Sequence, residues 1–193
     1  MGKGYDVLMV DPPWNQCNSG KRKVRPNQLA NFSYKTMSTE QIFTLLDKEI
    51  LISTEVIHNV FVWAIEKFLN DCEFQMRARG YKMHCRFIWN KLNGIAPAYT
   101  IRFCHEYLLW FYKPVLLPIA KDQRGRHGTV FTERKREHSR KPDIAYEIIE
   151  NLYPDATRID VFSREKRKGW DQYGDQKNFF QKEQRNNNQI EKL

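Results

Sequence analysis

The chain has 193 residues, 41% of them apolar and 13% aromatic, and its 32 Lys plus Arg against 23 Asp plus Glu give a net charge of +9. That length and apolar content suit one folded domain with a real core and exclude whole-chain disorder. The most apolar stretch, 108–120, is broken by Lys113, Pro114 and Pro118 and falls well short of the roughly 20 residues that cross a bilayer, and no secretory signal opens the chain, so a cytoplasmic protein without a membrane partner is expected.

Tyr5-Asp6-Val7-Leu8-Met9-Val10 is apolar and β-branched enough for a buried strand, and it stops at Asp11-Pro12-Pro13-Trp14, which it therefore presents at its carboxyl end. Residues 15–33 hold Asn, Gly, Pro, Lys and Arg without periodicity, which predicts a long basic loop. Ser38-Thr39-Glu40-Gln41 matches a capping box, and Ile42, Leu45 and Leu46 follow at helical spacing, so a helix is predicted over 39–48. Val60 to Ala64 is a second buried strand. Phe68, Leu69, Cys72 and Met76 form a helical stripe that Gly80 ends. Lys82 to Trp89 and Glu106 to Tyr112 are two aromatic-rich strands on either side of the loop around Asn93-Gly94.

Residues 121–138 form a second basic loop, with a short strand at Gly128 to Thr132. Pro142 sits in the first turn of a third helix carrying Ile144, Ile148, Ile149 and Leu152, which Pro154 stops. Thr157 to Phe162 is the last strand expected. A single domain over 1–180 then gives way to a polar, aperiodic tail at 181–193, expected to be disordered. This order of strands and helices predicts an α/β fold with a largely parallel sheet and helices on its faces. Ligands in such sheets bind outside the carboxyl ends of the strands, which puts Asp11 to Trp14 and Ser163-Arg164 on one functional rim. The four cysteines, Cys17, Cys72, Cys85 and Cys104, show no C-x-x-C pair and no His at zinc spacing, so they are expected as reduced thiols and no metal site is expected.

By average composition, Asp-Pro-Pro-Trp occurs by chance on the order of once in several thousand chains of this length. Two consecutive prolines remove two N–H donors and stiffen the turn, leaving carbonyls aimed outward. The exocyclic amine of adenine or cytosine has two N–H donors to satisfy, which Asp11 and the Pro12 carbonyl can accept while Trp14 stacks on the flat base. The basic segments Lys21-Arg22-Lys23-Val24-Arg25 and Arg134-Lys135-Arg136 fit contacts to a polyanionic backbone.

Asp11-Pro12-Pro13-Trp14, Tyr34-Lys35-Thr36-Met37-Ser38, His138-Ser139-Arg140-Lys141-Pro142-Asp143, Phe162-Ser163-Arg164 and Gly169-Trp170-Asp171-Gln172-Tyr173-Gly174-Asp175-Gln176 occur in that order. Together, between residues 5 and 176, they resemble the MT-A70 family of S-adenosylmethionine-dependent adenine N6-methyltransferases. The resemblance implies a Rossmann-like class I methyltransferase sheet in permuted order, with the catalytic motif first and the cofactor motif near the C-terminus. It makes Asp11, Pro12, Pro13 and Trp14 the catalytic loop, with Asp11 also at the cofactor. It sets Tyr34 beside the methyl donor and the target base, Glu106 near the base, and Lys141 near the cofactor carboxylate or ribose or the target nucleotide. Arg164, Asp175 and Gln176 match cofactor positions, although Asp175 stands where Asn is common in the family. There is no G-x-G-x-x-G; the family's cofactor strand ends in Phe-x-Arg.

The expected function is methyl transfer from S-adenosylmethionine to N6 of adenine in DNA, by a monomer or homodimer and without a metal. RNA as the substrate is the first alternative, and a non-catalytic nucleic-acid-binding subunit of a methyltransferase pair is the second. The loops at 93–102 and 121–138 are the candidates for sequence recognition.

Overall fold

The structure, a computed structural model, describes residues 4–15, 35–92, 101, 103–137 and 139–180. Tyr34, Lys21, Arg22, Lys23, Arg25 and the 181–193 tail lie outside these residues. Strand β1 (Tyr5–Val10) lies inside a seven-stranded sheet of order β5-β3-β4-β2-β1-β6-β7. Its neighbours β2 (Thr54–Ala64) and β6 (Arg158–Val161) both run parallel to it, with Leu8 opposite Val60 on one side and Ile159 on the other. β4 (His105–Lys113) pairs antiparallel with both β2 and β3 (Lys82–Asn90). β5 (Val130–Thr132) and β7 (Asp171–Tyr173) add parallel edges to β3 and β6. All strands but β4 therefore point the same way, and their carboxyl ends make one rim.

Alternation along β1 assigns its side chains to two cores, as a strand buried on both faces requires. Leu8 and Val10 pack with Ile42, Phe43, Cys72 and Met76, under helices α1 (Thr39–Leu45) and α2 (Leu69–Ala78). Val7 and Met9 pack with Trp63, Trp110, Ile149 and Leu152, under helix α3 (Asp143–Leu152). The Ser38 hydroxyl accepts from the Gln41 N–H at 3.2 Å and the Gln41 side chain accepts from the Ser38 N–H at 2.9 Å, so α1 begins at its capping box. Past Leu45 the chain winds more loosely over Leu46–Ile50 before straightening into β2.

Gly80, just past α2, has φ +80, the left-handed conformation of a helix C-terminus. Pro142 directly precedes α3 and has no capping side chain of its own. Glu133 supplies the cap from a distance, accepting from the Asp143 N–H at 3.1 Å and the Ile144 N–H at 2.9 Å. Among the described residues, Cys72, Cys85 and Cys104 are unpaired and no helix is long and apolar enough to cross a membrane.

Candidate active site

The Asp11 N–H donates to the Val161 carbonyl at 3.1 Å, so the first residue of the tetrapeptide is held by β6. The Trp14 N–H closes a tight turn onto the Pro12 carbonyl at 2.8 Å, and the Pro13 carbonyl accepts from the Met37 N–H at 2.9 Å. The Pro12 oxygen keeps a second lone pair for a ligand. The segment borders a cleft of about 740 Å³ that is also lined by Glu106, Lys141, Arg164 and Gln176. A volume of this size falls in the ordinary range of ligand sites.

Trp14 corrects an expectation. The residue is only 4% exposed, its ring stacks on Phe68 with centroids 5.0 Å apart, and its Nε1 donates to the Trp63 carbonyl at 3.0 Å. The indole anchors the loop in the core below it and has little surface left for a base. The half-buried aromatic rings lining the cleft are Phe162 and Tyr173.

Four charged side chains form a row across the cleft. Lys141 Nζ sits 2.9 Å from Asp11 Oδ1 and donates to Glu106 Oε2 at 3.1 Å, while Lys91 Nζ pairs with Glu106 Oε1. All four side chains are between 12% and 17% exposed. Burial pushes the Asp11 carboxyl up from its ordinary value, and Lys141 offsets this only in part. Burial also opposes the Lys141 ammonium, but Asp11 and Glu106 outweigh it and raise the lysine's pKa. Glu106 bears the same burial penalty, yet Lys141 and Lys91 hold its carboxyl below the usual range. Lys141 also lies 5.4 Å from the centre of the Trp63 ring.

Elsewhere on the cleft wall, Arg164 Nε donates to Gln176 Oε1 at 2.9 Å, and the guanidinium stacks over Phe179 at 4.1 Å. Asp175 borders the same wall. The wall is shaped by a close backbone approach: Gly174 has φ +148, and a Cβ there would stand 3.2 Å from the Phe162 Cα. Phe162 itself has φ +62 and its N–H donates to the Tyr173 carbonyl at 2.6 Å.

Of the basic cluster, Arg134 and Lys135 are exposed. Arg136 is partly exposed, with its guanidinium 2.8 Å from Asp143 and donating to the Lys141 carbonyl at 2.9 Å. Sequence reasoning missed Lys91. A charged residue directly after a strand, at the carboxyl rim of the sheet, was the available signal.

The chain is 24% identical over 186 residues to the Type II methyltransferase M.MunI of Mycoplasma sp, an alignment covering 89% of this chain and 77% of that protein. It is 25% identical over 179 residues to an N(6)-adenosine-methyltransferase MT-A70-like protein of Arabidopsis thaliana, covering 90% of this chain, and 24% identical over 181 residues to a putative one of Medicago truncatula, covering 91%. The chain spans only about a quarter of those two plant proteins, 24% and 27% of their lengths. Residues 5–176, from the first strand through the wall that carries Gln176, match the MT-A70 family, and the chain belongs to that family of methyltransferases.

Proposed function

We propose that this protein transfers the methyl group of S-adenosylmethionine to N6 of adenine in DNA. MT-A70 methyltransferases use S-adenosylmethionine, and the residues present suit it. Arg164 and Gln176 offer donors and an acceptor for hydroxyl and carboxylate groups, Lys141 offers an ammonium, and the close approach of Gly174 to Phe162 leaves the wall free of a Cβ. Bound there, the cofactor supplies an electrophilic methyl group on a sulfonium.

The chain's own residues supply positioning and electrostatics. The Asp11 carboxylate and the Pro12 carbonyl accept the two N–H groups of the exocyclic amine, directing its lone pair away from them. Lys141 holds Asp11 in place through the 2.9 Å ion pair, and Glu106 takes the other side of that ammonium. The observation that carries the reading is this ion-paired Asp11 at the carboxyl end of β1, in the same cleft as Arg164 and Gln176. N6 of a paired adenine is engaged in the duplex, so the base enters flipped or from a single strand.

DNA is favoured by the similarity to the bacterial Type II methyltransferase, at 24% identity over 186 residues. RNA is the second reading, favoured by the adenosine in the plant relatives' names. The test offers labelled S-adenosylmethionine with duplex DNA, single-stranded DNA and RNA in parallel and digests each product to nucleosides. N6-methyldeoxyadenosine is the expected product, and label confined to RNA moves the substrate to the second reading. Asp11→Ala is expected to lower turnover at least about a hundredfold with cofactor binding largely kept; retained turnover removes Asp11 from its role.

A further inference from the structure

Two residues that line the cleft, Lys141 and Arg164, each have a chain neighbour in a second cluster of charge. Lys141 follows Arg140 in the strap that joins β5 to α3, and Arg164 precedes Glu165 in the connection from β6 to β7. These neighbours meet. Arg140 Nε donates to Glu165 Oε2 at 3.1 Å, and its Nη2 pairs with Glu165 Oε1 in a bidentate fork. Arg167 donates to the same Oε2 at 2.8 Å. Arg167 in turn reaches Asp143, at the start of α3, at 2.6 Å and stacks 3.8 Å over the Tyr146 ring. Arg140 also pairs with Glu137 in its own strap at 3.1 Å.

Arg140, Glu165 and Arg167 are 10%, 16% and 15% exposed. One carboxylate here serves two guanidiniums with most of the water removed, where charge-assisted forks are strongest and most directional. Arg140 also lines the cleft, whereas Glu165 and Arg167 do not, and the cluster is one peptide bond from both the Asp11 row and the Arg164–Gln176 pair.

Building on the methyltransferase reading, we propose that Glu165 is a positioning residue. It clasps the Lys141 strap to the connection that carries Arg164, so that the wall binding the cofactor and the wall orienting the amine are set at one fixed separation. In-line transfer depends steeply on that separation, since misplacement on the order of 1 Å costs about a hundredfold in rate.

The test compares the parent chain with Glu165→Asp, Glu165→Gln and the doubly neutral Arg140→Gln/Glu165→Gln, which removes opposite charges together and so avoids stranding Arg140. Each is measured for its thermal midpoint, for S-adenosylmethionine affinity by calorimetry, and for steady-state methyl transfer. The double variant is expected to melt cooperatively, with kcat/KM for S-adenosylmethionine about a hundredfold lower and with KM raised. Glu165→Asp, which keeps the charge on a shorter arm, is expected to recover part of the loss. A merely structural role would leave the KM of the folded fraction alone. KM and kcat within about twofold of the parent in the folded double variant overturn the proposal. If the parent transfers methyl to no nucleic acid, it is the functional reading that fails, and the clasp is then judged by calorimetry alone: an unchanged cofactor affinity in the double variant overturns it.

Discussion

Asp160 shows how a buried carboxyl behaves without a cation of its own. It sits on β6, 2% exposed, with Oδ2 accepting from the Tyr146 hydroxyl at 2.9 Å and Oδ1 buried without a partner among the described residues. Burial pushes its pKa up to about 8, the Tyr146 hydrogen bond offsetting part of that and the nearby Asp11 charge adding to it. Glu106, also buried but held low by two lysines, shows the opposite effect of an ion partner. In the unfolded chain Asp160 loses its proton near pH 4, whereas the folded protein keeps it to about pH 8. Its contribution is therefore complete below pH 4, declines by about 1.4 kcal/mol per pH unit as the pH rises, and is gone above the folded value. Asp160→Asn removes this dependence. In thermal melts the variant is expected to gain on the parent steadily from pH 6 to pH 8 and then to hold its lead; a difference that is flat across that window contradicts a protonated Asp160.

At the scale of elements, the helices and most strands were legible because their signals are local. The capping box at Ser38, the glycine beyond α2 and the apolar runs of β1 and β2 each carry their meaning within a few residues. β7 was not legible. Asp171-Gln172-Tyr173 has no apolar alternation, and it is a strand only because β6 offers it a parallel edge. The cap of α3 was equally hidden, since Glu133 reaches it across the strap. β7 delivers Gly174 against Phe162, and here substitution has a predictable cost. Gly174→Ala places a Cβ 3.2 Å from backbone, at a φ of +148 that side chains avoid. It is expected to destabilise the fold by about 1–3 kcal/mol and to weaken S-adenosylmethionine binding, read by denaturant unfolding and calorimetry; a variant equal to the parent in both shows that the wall gives way freely.

For the molecule as a whole, the net charge of +9 is a statement about polyanions, and its test is salt. Lys21, Arg22, Lys23 and Arg25 put four positive charges within five residues of the sequence. Reversing them to Glu is expected to weaken nucleic-acid binding evenly across sequences and to flatten the dependence of log K on log salt by about 0.9 for each phosphate that is no longer neutralised. An unchanged slope places the polyanion-binding surface elsewhere. Arg136, from the other basic run, is not expected to contribute, because Asp143 and the Lys141 carbonyl already hold it.

The sequence by itself determined the α/β class, the Asp-Pro-Pro-Trp turn at the end of the first strand and the family, since each rests on short-range pattern or on ordered motifs. Tertiary structure alone decided that Lys141 bridges Asp11 and Glu106, that Lys91 completes the row, that the Trp14 ring is consumed by Phe68 and Trp63, and that Glu165 joins two walls. Crossovers between parallel strands bring together residues far apart in the chain, and such meetings leave no periodicity in either segment. Charge pairing and ring stacking depend on where the backbone delivers each side chain, and only the assembled sheet contains that information.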